Sequence, residues 1–238
     1  MTAASSDIYD ALAPHYREYA AKKSSYLAAV DRFILEHAPS RTSSMLDVGS
    51  GDGIRAMALA NKLKVPTIIL SDYSREMAER CRALRPTDVW QTAAQDLPKT
   101  ERRFDVITCL WNVLGHLPDR SSRILALTHM KDLLSENGII FFDVNNRHNA
   151  AAYGWLKVLG RIVIDTTQHN DRRGDASFDW TIGDKIFPAM GHLFTPMEIQ
   201  TIVRESGLRV LVRAAIDYTT GVRSHLPLRG QLVYAVAR

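Results

Sequence analysis

The sequence predicts a doubly wound α/β fold built around a mostly parallel sheet, and three observations support this prediction. Short segments rich in β-branched and aromatic residues alternate with segments whose apolar residues recur every three or four positions. A glycine-rich loop directly follows the first short segment. The 238 residues, of which 46% are hydrophobic and 24% charged, are typical of one compact domain. Strands that alternate with helices imply crossover connections, which make neighbouring strands parallel and bury both faces of the sheet.

Five strands and three helices are predicted in the first part of this pattern. Each strand is short, apolar and bounded by turn residues, and the five lie at 44–49, 66–72, 88–93, 104–110 and 137–144. The helices are amphipathic and lie between strands at 53–64, 74–84 and 119–137. This alternation places the glycine-rich loop at the carboxyl edge of the sheet, where open α/β sheets bind ligands.

Further segments precede and follow this alternating core within a single domain. The chain is divided into a helical segment (1–40), the core (41–144), an insertion (145–195) and a closing part (196–238). The insertion is predicted to contain a helix followed by two antiparallel strands, and the closing part a helix and two strands. Thr195 and Glu198 have the spacing of a capping box at the start of the closing helix.

The glycine-rich loop lies within MLDVGSGDGIRA, residues 45–56. Gly49, Gly51 and Gly53 alternate, whereas a dinucleotide-binding loop has its third glycine one position later. Asp52 would place negative charge beside any phosphate that approached the start of the following helix. A ligand without phosphates therefore fits better, and a cationic one would tolerate Asp47 nearby. S-adenosylmethionine has this combination, because it carries a sulfonium and an α-amino group and no phosphate.

Two further aspartates follow the next strands of the predicted sheet. Asp72 ends the second strand, nineteen residues after Gly53, where one carboxylate can accept hydrogen bonds from both hydroxyls of a ribose. Asp96 follows the third strand and could accept the exocyclic amine of adenine, with Leu97 packed on the ring. A single aspartate at a strand end is more commonly a turn or helix cap. Acidic residues at the ends of consecutive strands favour the ligand.

Six segments together resemble the motifs of class I S-adenosylmethionine-dependent methyltransferases, over nearly the whole chain. They are LDVGSGDG, LSDYSREM, AQDLP, FDVITCLWNVLGHLPD, LLSENGIIFFDV and FTPMEIQTIVRESGLRV. The resemblance implies a Rossmann-like methyltransferase fold, a doubly wound sheet of seven strands whose last strand, in QLVYAVAR, is antiparallel. It also implies S-adenosylmethionine as the cofactor. The residues that it assigns to the cofactor, together with those argued above, are Tyr16, Asp47, Gly49, Gly51, Gly53, Asp72, Tyr73, Asp96, Leu97, Trp111 and Asn112.

The N-terminal segment IYDALAPHYREYA resembles the lid helix of small-molecule methyltransferases, in which tyrosines fold over the cofactor. Tyr9 and Tyr16 are seven residues apart and so share one face of a helix. A helix that packs its aromatic residues on the core remains an equal alternative. A lid would exclude water from the reacting groups.

Methyl transfer needs in-line alignment and, for a hydroxyl or ammonium acceptor, removal of a proton. His116 follows the fourth strand and is the candidate general base, since histidine titrates near neutral pH. The alternative is that His116 only orders its loop. The candidate substrate-binding residues are Tyr9, Asn145, Asn146, Arg147, Tyr153 and His192. A turn or helix-cap role for Asn145 and Asn146 is an equal alternative, because this is the commonest structural use of asparagine.

We therefore predict an enzyme that methylates an amine or hydroxyl of a small metabolite, with specialised biosynthesis as one setting. The formal charge of +4 is spread over short pairs, so nucleic acid is an improbable partner, and no segment is long and apolar enough for a membrane span. No secretory signal is evident, and the two cysteines give no disulfide framework, so a cytoplasmic location is expected. No metal is predicted. An RNA methyltransferase and a non-catalytic S-adenosylmethionine-binding module remain alternatives, and a monomer and a homodimer both stay open.

Overall fold

The structure is a computed structural model, and it describes residues 5–168, 170–182 and 185–238. Nine α-helices are found within these ranges: α1 Ser5–Leu12, α2 Tyr16–Ala21, α3 Ser24–His37, α4 Ile54–Leu63, α5 Arg75–Ala83, α6 Arg120–Asp132, α7 Ala150–Tyr153, α8 Trp155–Thr167 and α9 Pro196–Glu205. The described residues also form ten strands: β1 Ser44–Val48, β2 Thr67–Ser71, β3 Asp88–Trp90, β4 Phe104–Cys109, β5 Leu134–Val144, β6 Asp175–Ile182, β7 Lys185–His192, β8 Arg209–Ile216, β9 Arg223–Ser224 and β10 Gln231–Ala237. Within the same residues no helix is long and apolar enough to cross a bilayer.

The central sheet has the strand order β3-β2-β1-β4-β5-β10-β8-β9. Strands β1 to β5 pair in parallel, and β10 lies antiparallel between β5 and β8. The predicted doubly wound sheet with an antiparallel last strand is thus confirmed. The two-residue β9 adds an eighth strand at the edge, antiparallel to β8. The reversal of strand order beside β1 leaves a crevice at the carboxyl ends of β1 and β4.

The boundary between α6 and β5 differs from the prediction. The predicted helix extends to residue 137, but α6 ends at Asp132 and β5 begins at Leu134. Leu134 pairs with Phe104, and the register then shifts before Val106 pairs with Ile139. The polar residues between Leu134 and Gly138 are therefore accommodated in an irregular strand rather than in a helical turn.

Both faces of the sheet are buried, which explains the nearly continuous apolar character of its strands. In β1, Met45 packs into the cluster that contains α3 and α4, and Leu46 into the cluster that contains α6 and α9. Successive side chains of a strand point to opposite faces, so each face needs its own apolar set. Cys81 and Cys109 are buried free thiols, and burial raises the pKa of each above its ordinary value.

Helix α3 belongs to this core, although it lies in the segment predicted to form a lid. Tyr26, Val30, Phe33 and Ile34 are fully or almost fully buried and line one face of α3. Tyr26 also donates a hydrogen bond of 2.5 Å to Asp143 Oδ2. Among the helices described in the segment 1–40, α1 and α2 lie outside this core cluster.

The insertion has the predicted order of a helical part followed by an antiparallel pair. Helices α7 and α8 precede the hairpin of β6 and β7, which forms a separate two-stranded sheet. A bridge between Asn146 and Phe194 joins the two ends of the insertion. The predicted capping box is also present, because Thr195 Oγ1 accepts from Glu198 N and Glu198 Oε2 accepts from Thr195 N.

Candidate active site

A cavity of about 520 Å³ opens at the carboxyl ends of β1, β2 and β4. It is closed on one side by residues of α1 and α2 and on another by the hairpin of β6 and β7. Many residues that the sequence singled out line this cavity: Tyr9, Tyr16, Gly49, Gly51, Asp72, Tyr73, Asp96, Trp111, Asn112, His116, Asn145, Tyr153 and His192. Segments far apart in the chain are thus brought to one edge of the sheet, as the predicted topology requires.

The glycine loop forms one wall of the cavity. Gly49 and Gly51 have φ angles of +73° and +56°, which glycine adopts without steric cost. The Ser71 carbonyl accepts from Gly49 N at 2.7 Å and fixes the loop against β2. Gly53 does not line the cavity, because it faces the core, where an added Cβ would lie 2.8 Å from Leu70 Cδ1.

Asp72 lies between this loop and the first turn of α5. Its Oδ2 accepts from Gly51 N at 2.8 Å and its Oδ1 from Ser74 N at 2.9 Å. Burial raises the pKa of Asp72 to about 6, and the two backbone hydrogen bonds oppose that shift. Each carboxylate oxygen keeps further lone pairs that can accept hydrogen bonds from a ligand.

Asp96 ends a single-turn 3-10 helix, Ala94–Asp96, on the cavity wall that follows β3. Gln95 Nε2 donates to its Oδ2 at 3.1 Å. Leu97 does not line the cavity: it is buried in the core cluster under α6, so it is not available to pack on a ring bound there. Thr92 and Ala93 line the wall beside Asp96 instead.

Trp111 and Asn112 follow β4 with φ angles of +64° each, a left-handed conformation that costs non-glycine residues about 1 to 3 kcal/mol apiece. Asp143 Oδ1 accepts from Trp111 N at 2.5 Å, and Asn112 Oδ1 accepts from Asn145 N at 2.8 Å. The indole of Trp111 donates to the hydroxyl of Tyr218 at 2.8 Å. Strained backbone held by buried hydrogen bonds is typical of functional sites. Sequence reasoning missed Asp143, although a carboxylate within the apolar run FFDV was a visible signal.

Helices α1 and α2 cover the cavity with aromatic side chains. The Tyr16 hydroxyl lies so close to Gly51 that an added Cβ there would be 2.5 Å from it. Tyr19 stacks on Trp111 with ring centroids 5.3 Å apart, and Tyr9 meets His116 edge to face at 5.7 Å. Asp10 accepts a short hydrogen bond from Ser74 Oγ and one of 3.3 Å from Glu76 N, which docks α1 on the start of α5. Asp10 and Tyr19 were not among the predicted site residues.

His116 ends a single-turn 3-10 helix, Val113–His116, that faces the cavity. Burial lowers its pKa, and a hydrogen bond to the backbone of Met190 opposes that shift. Because this bond favours the protonated ring, His116 donates from one nitrogen to the Met190 carbonyl. A neutral ring then keeps a lone pair on its other nitrogen, which can accept a proton.

His192 also borders the cavity, but both its ring nitrogens are already engaged. Nδ1 lies 2.7 Å from Asp175 Oδ1, and Nε2 lies 2.7 Å from Glu198 Oε1. The side chain is almost completely buried. It therefore has no free nitrogen to offer a substrate, and its predicted substrate contact is limited to the ring edge.

A family model described as a methyltransferase domain matches residues 15–212. The chain belongs to this family. The sequence-based prediction of a class I S-adenosylmethionine-dependent methyltransferase is thereby confirmed, both as an enzyme and in its cofactor.

The relatives of this methyltransferase include proteins named as O-methyltransferases and as N-methyltransferases. The ubiquinone biosynthesis O-methyltransferase of Thiobacillus denitrificans is 32% identical over 79% of this chain and 73% of its own length. The dTDP-3-amino-3,6-dideoxy-alpha-D-glucopyranose N,N-dimethyltransferase of Streptomyces fradiae is 25% identical over 66% of this chain and 60% of its own length. The solved DhpI-SAM-HEP complex has the same fold with a TM-score of 0.68, at 16% identity, over 98% of this chain and 95% of that one.

Three further residues that the sequence singled out lie outside the 520 Å³ cavity of the methyltransferase. Asp47 accepts a short hydrogen bond from Thr108 Oγ1 and lines a neighbouring cavity that shares Tyr16, Gly49 and Trp111 with the first. Asn146 Nδ2 donates to the carbonyls of Pro227 and Gly230, at 2.6 and 2.9 Å. Arg147 pairs with Asp165 at 2.9 Å. These side chains therefore bind other residues of the protein. The partners of Asn146 and Arg147 are distant in the sequence, so the residues around position 146 do not predict them.

Proposed function

We propose that the methyltransferase transfers the methyl group of S-adenosylmethionine to a hydroxyl of a small organic molecule bound in the 520 Å³ cavity. One observation carries the proposal: a single cavity contains the glycine loop, the carboxylate of Asp72 and a buried histidine that favours its neutral form. The first two are suited to the cofactor, and the third is suited to removal of a proton from an acceptor.

The residues of the cavity fit the chemical groups of the cofactor. Asp72 has free lone pairs for the two ribose hydroxyls, and the absence of a Cβ at Gly51 lets the Tyr16 hydroxyl pack directly against the loop beside it. Asp96 would accept a hydrogen bond from the adenine amine. Trp111 and Asn112 would lie beside the sulfur of S-adenosylmethionine. Bound S-adenosylmethionine supplies an electrophilic methyl group on a sulfonium. The protein contributes alignment of that group with the acceptor and exclusion of water.

Proton removal is the step assigned to His116. The free nitrogen of His116 would accept the proton of the acceptor hydroxyl as that oxygen takes the methyl group, and the electrons of the broken bond would remain on the sulfur of the departing S-adenosylhomocysteine. The hydrogen bond to Met190 keeps the opposite nitrogen protonated and so directs the lone pair towards a single position. Tyr9, in edge-to-face contact with the ring, restricts water around it.

An amine acceptor is the second candidate. The aminosugar N,N-dimethyltransferase among the relatives favours it, whereas the relative with higher identity and coverage is named an O-methyltransferase. A neutral amine attacks without a base in the transition state, so it would make less use of His116. The hydroxyl is preferred because it explains why a buried neutral histidine faces the cavity.

The test is transfer of isotopically labelled methyl groups to a panel of phenols, aliphatic alcohols, aminosugars and total RNA. We expect labelled ethers from the hydroxyl compounds. For the best acceptor, His116→Gln should lower kcat by about a hundredfold or more while the affinity for S-adenosylhomocysteine is unchanged. His225→Gln, at an exposed histidine away from the cavity, is the matched control. Methylation confined to amines or RNA would refute the hydroxyl acceptor, and full activity of His116→Gln would remove His116 as the base.

A further inference from the structure

Arg123 is a buried cation directly behind His116. It lies in the first turn of α6, and its side chain is 3% exposed. Its Nε donates to the carbonyl of Leu114 at 3.3 Å, and its Nη2 donates to the carbonyl of Leu117 at 3.2 Å. These two carbonyls flank His116 in the chain. One rigid, planar guanidinium therefore braces the short helix that carries the candidate base.

Acidic side chains from two other elements surround this guanidinium. Asp175 Oδ1, at the start of β6, lies 3.9 Å from Arg123 Nη2, and Glu198, in the first turn of α9, also acts on it electrostatically. Burial lowers the pKa of Arg123 and the acidic neighbours oppose that shift, so the side chain stays cationic. The ring of Phe194 lies 5.3 Å from the guanidinium carbon.

The same carboxylates fix the strand that contacts His116. Asp175 and Glu198 each form a 2.7 Å hydrogen bond with His192, which ends β7. Met190, whose backbone binds the imidazole of His116, lies two residues earlier on β7. The cluster of Arg123, Asp175, His192 and Glu198 thus holds both the helix that carries His116 and the strand that orients its ring.

We propose that Arg123 is a positioning residue for methyl transfer, which fixes the imidazole of His116 against the Met190 carbonyl and towards the acceptor. The groups that face His116 are Tyr9 from α1, the Met190 backbone from β7 and, through the Leu114 and Leu117 carbonyls, Arg123 from α6. Loss of the guanidinium frees the short helix and admits water to the ring. The proposal rests on the proposed role of His116 as base.

The experiment compares Arg123→Lys and Arg123→Met with Arg120→Met. Arg120 lies in the same turn of α6, and its guanidinium pairs with Glu205 at 2.7 Å and Asp171 at 3.6 Å instead of with the Leu114 and Leu117 carbonyls. The midpoint of the His116 imidazole is followed by NMR in the complex with S-adenosylhomocysteine, with its signals assigned from His116→Gln. Since burial is what lowers the pKa of His116, both Arg123 variants should move the midpoint upward, towards the ordinary value of histidine.

Kinetics separate positioning from general stability. Misplacement of the base should lower kcat by about tenfold or more in Arg123→Met, less in Arg123→Lys, with KM for S-adenosylmethionine changed by less than about twofold. Arg120→Met should leave the midpoint and kcat unchanged. If Arg123→Met does not fold, Asp175→Asn loosens the same cluster at nearly constant shape and should shift the midpoint in the same direction.

The proposal is overturned if the Arg123 variants melt at lower temperature but keep both the midpoint of His116 and kcat. Failure of the proposed base is a distinct result. In that case His116→Gln would be fully active, while the Arg123 variants would still move the midpoint of His116.

Discussion

The protonation state of Asp72 makes both stability and ligand binding in the cavity dependent on pH. Burial raises its pKa to about 6, well above the ordinary value of about 4 for an aspartate. The folded protein therefore binds more protons than the unfolded chain between these two values, and the free energy of unfolding falls as pH rises through that window. A ribose would bind the ionised carboxylate better than the protonated one. Its affinity should therefore rise with pH through the same window, whereas the free energy of unfolding falls.

We accordingly expect the affinity for S-adenosylhomocysteine to weaken as pH falls below about 6, by at most about tenfold per pH unit. Isothermal titration across this range, in buffers of different ionisation enthalpy, measures both the affinity and the protons released on binding. Asp72→Asn should bind more weakly and with little dependence on pH. An equally steep dependence in Asp72→Asn would show that another group is responsible.

Gly51 is a second residue whose role the structure makes testable. Gly51→Ala places a Cβ 2.5 Å from the Tyr16 hydroxyl at a φ of +56°, a conformation that costs an L-residue about 1 to 2 kcal/mol. We expect loss of cofactor affinity and a lower melting temperature, measured by titration and calorimetry. Gly160→Ala, in α8 with open space around it and no positive φ, is the control and should be neutral or slightly stabilising. Equal behaviour of the two variants would contradict the tight contact of Tyr16 with the loop.

The local sequence predicted the site residues whose positions the sheet topology fixes, but not those whose partners lie on distant segments. Gly49, Gly51 and Asp72 follow strands whose ends meet at one edge, so their positions relative to the sheet are fixed by topology alone. Asn146 and Arg147 follow β5 in the same way, but their side chains bind Gly230 and Asp165 instead of facing the cavity. The choice of partner depends on how distant segments pack, and a single sequence does not contain that information directly.

At the scale of elements, Asp10 fastens α1 and α2, which cover the cavity, to the start of α5. Its carboxylate accepts from Ser74 and Glu76 at the start of α5, where the helix dipole also favours negative charge. Asp10→Ala should therefore raise KM for S-adenosylmethionine several-fold and expose the N-terminal segment to protease, with a small change in melting temperature.

Glu18→Ala is the matched control for this prediction. Glu18 also lies in α2, and its carboxylate pairs with the exposed side chain of Lys22, the C-cap residue of this helix, at 3.1 Å. An exposed pair of this kind contributes about 0.3 to 0.5 kcal/mol at most. If Asp10→Ala and Glu18→Ala gave the same KM and the same rate of proteolysis, Asp10 would not be a fastening point.

Helices and strands could be predicted from the sequence where they depend on residues close together in the chain. The capping box of α9 and the alternation of strands and helices depend on residues a few positions apart. The early start of β5 depends instead on pairing of Leu134 with Phe104, thirty residues away, and β9 depends on the position of β8. Where a strand begins or ends because it pairs with a distant strand, its own local sequence does not predict that boundary.

At the scale of the whole molecule, the described part of the first forty residues divides into two helices that cover the cavity and one helix that belongs to the core. α3 buries Tyr26 and its apolar face against the sheet, whereas α1 and α2 contact the glycine loop, Trp111 and the start of α5. Removal of residues 1–21 should therefore leave cooperative unfolding intact and weaken cofactor binding.

This truncation can be compared with a core substitution by ligand-induced stabilisation. Ligand at about a hundred times its dissociation constant stabilises a folded protein by about 2.7 kcal/mol, and a tenfold loss of affinity removes about 1.3 kcal/mol of that. We expect such a reduced stabilisation by S-adenosylhomocysteine for the truncated chain, in urea unfolding at fixed ligand concentration. Tyr26→Ala should instead lower stability by about 3 to 5 kcal/mol with and without ligand, because it empties a buried site and leaves Asp143 without its hydroxyl donor. A truncated chain that unfolds without cooperativity would place α1 and α2 in the core, because the rest of the molecule would then depend on them for its own packing.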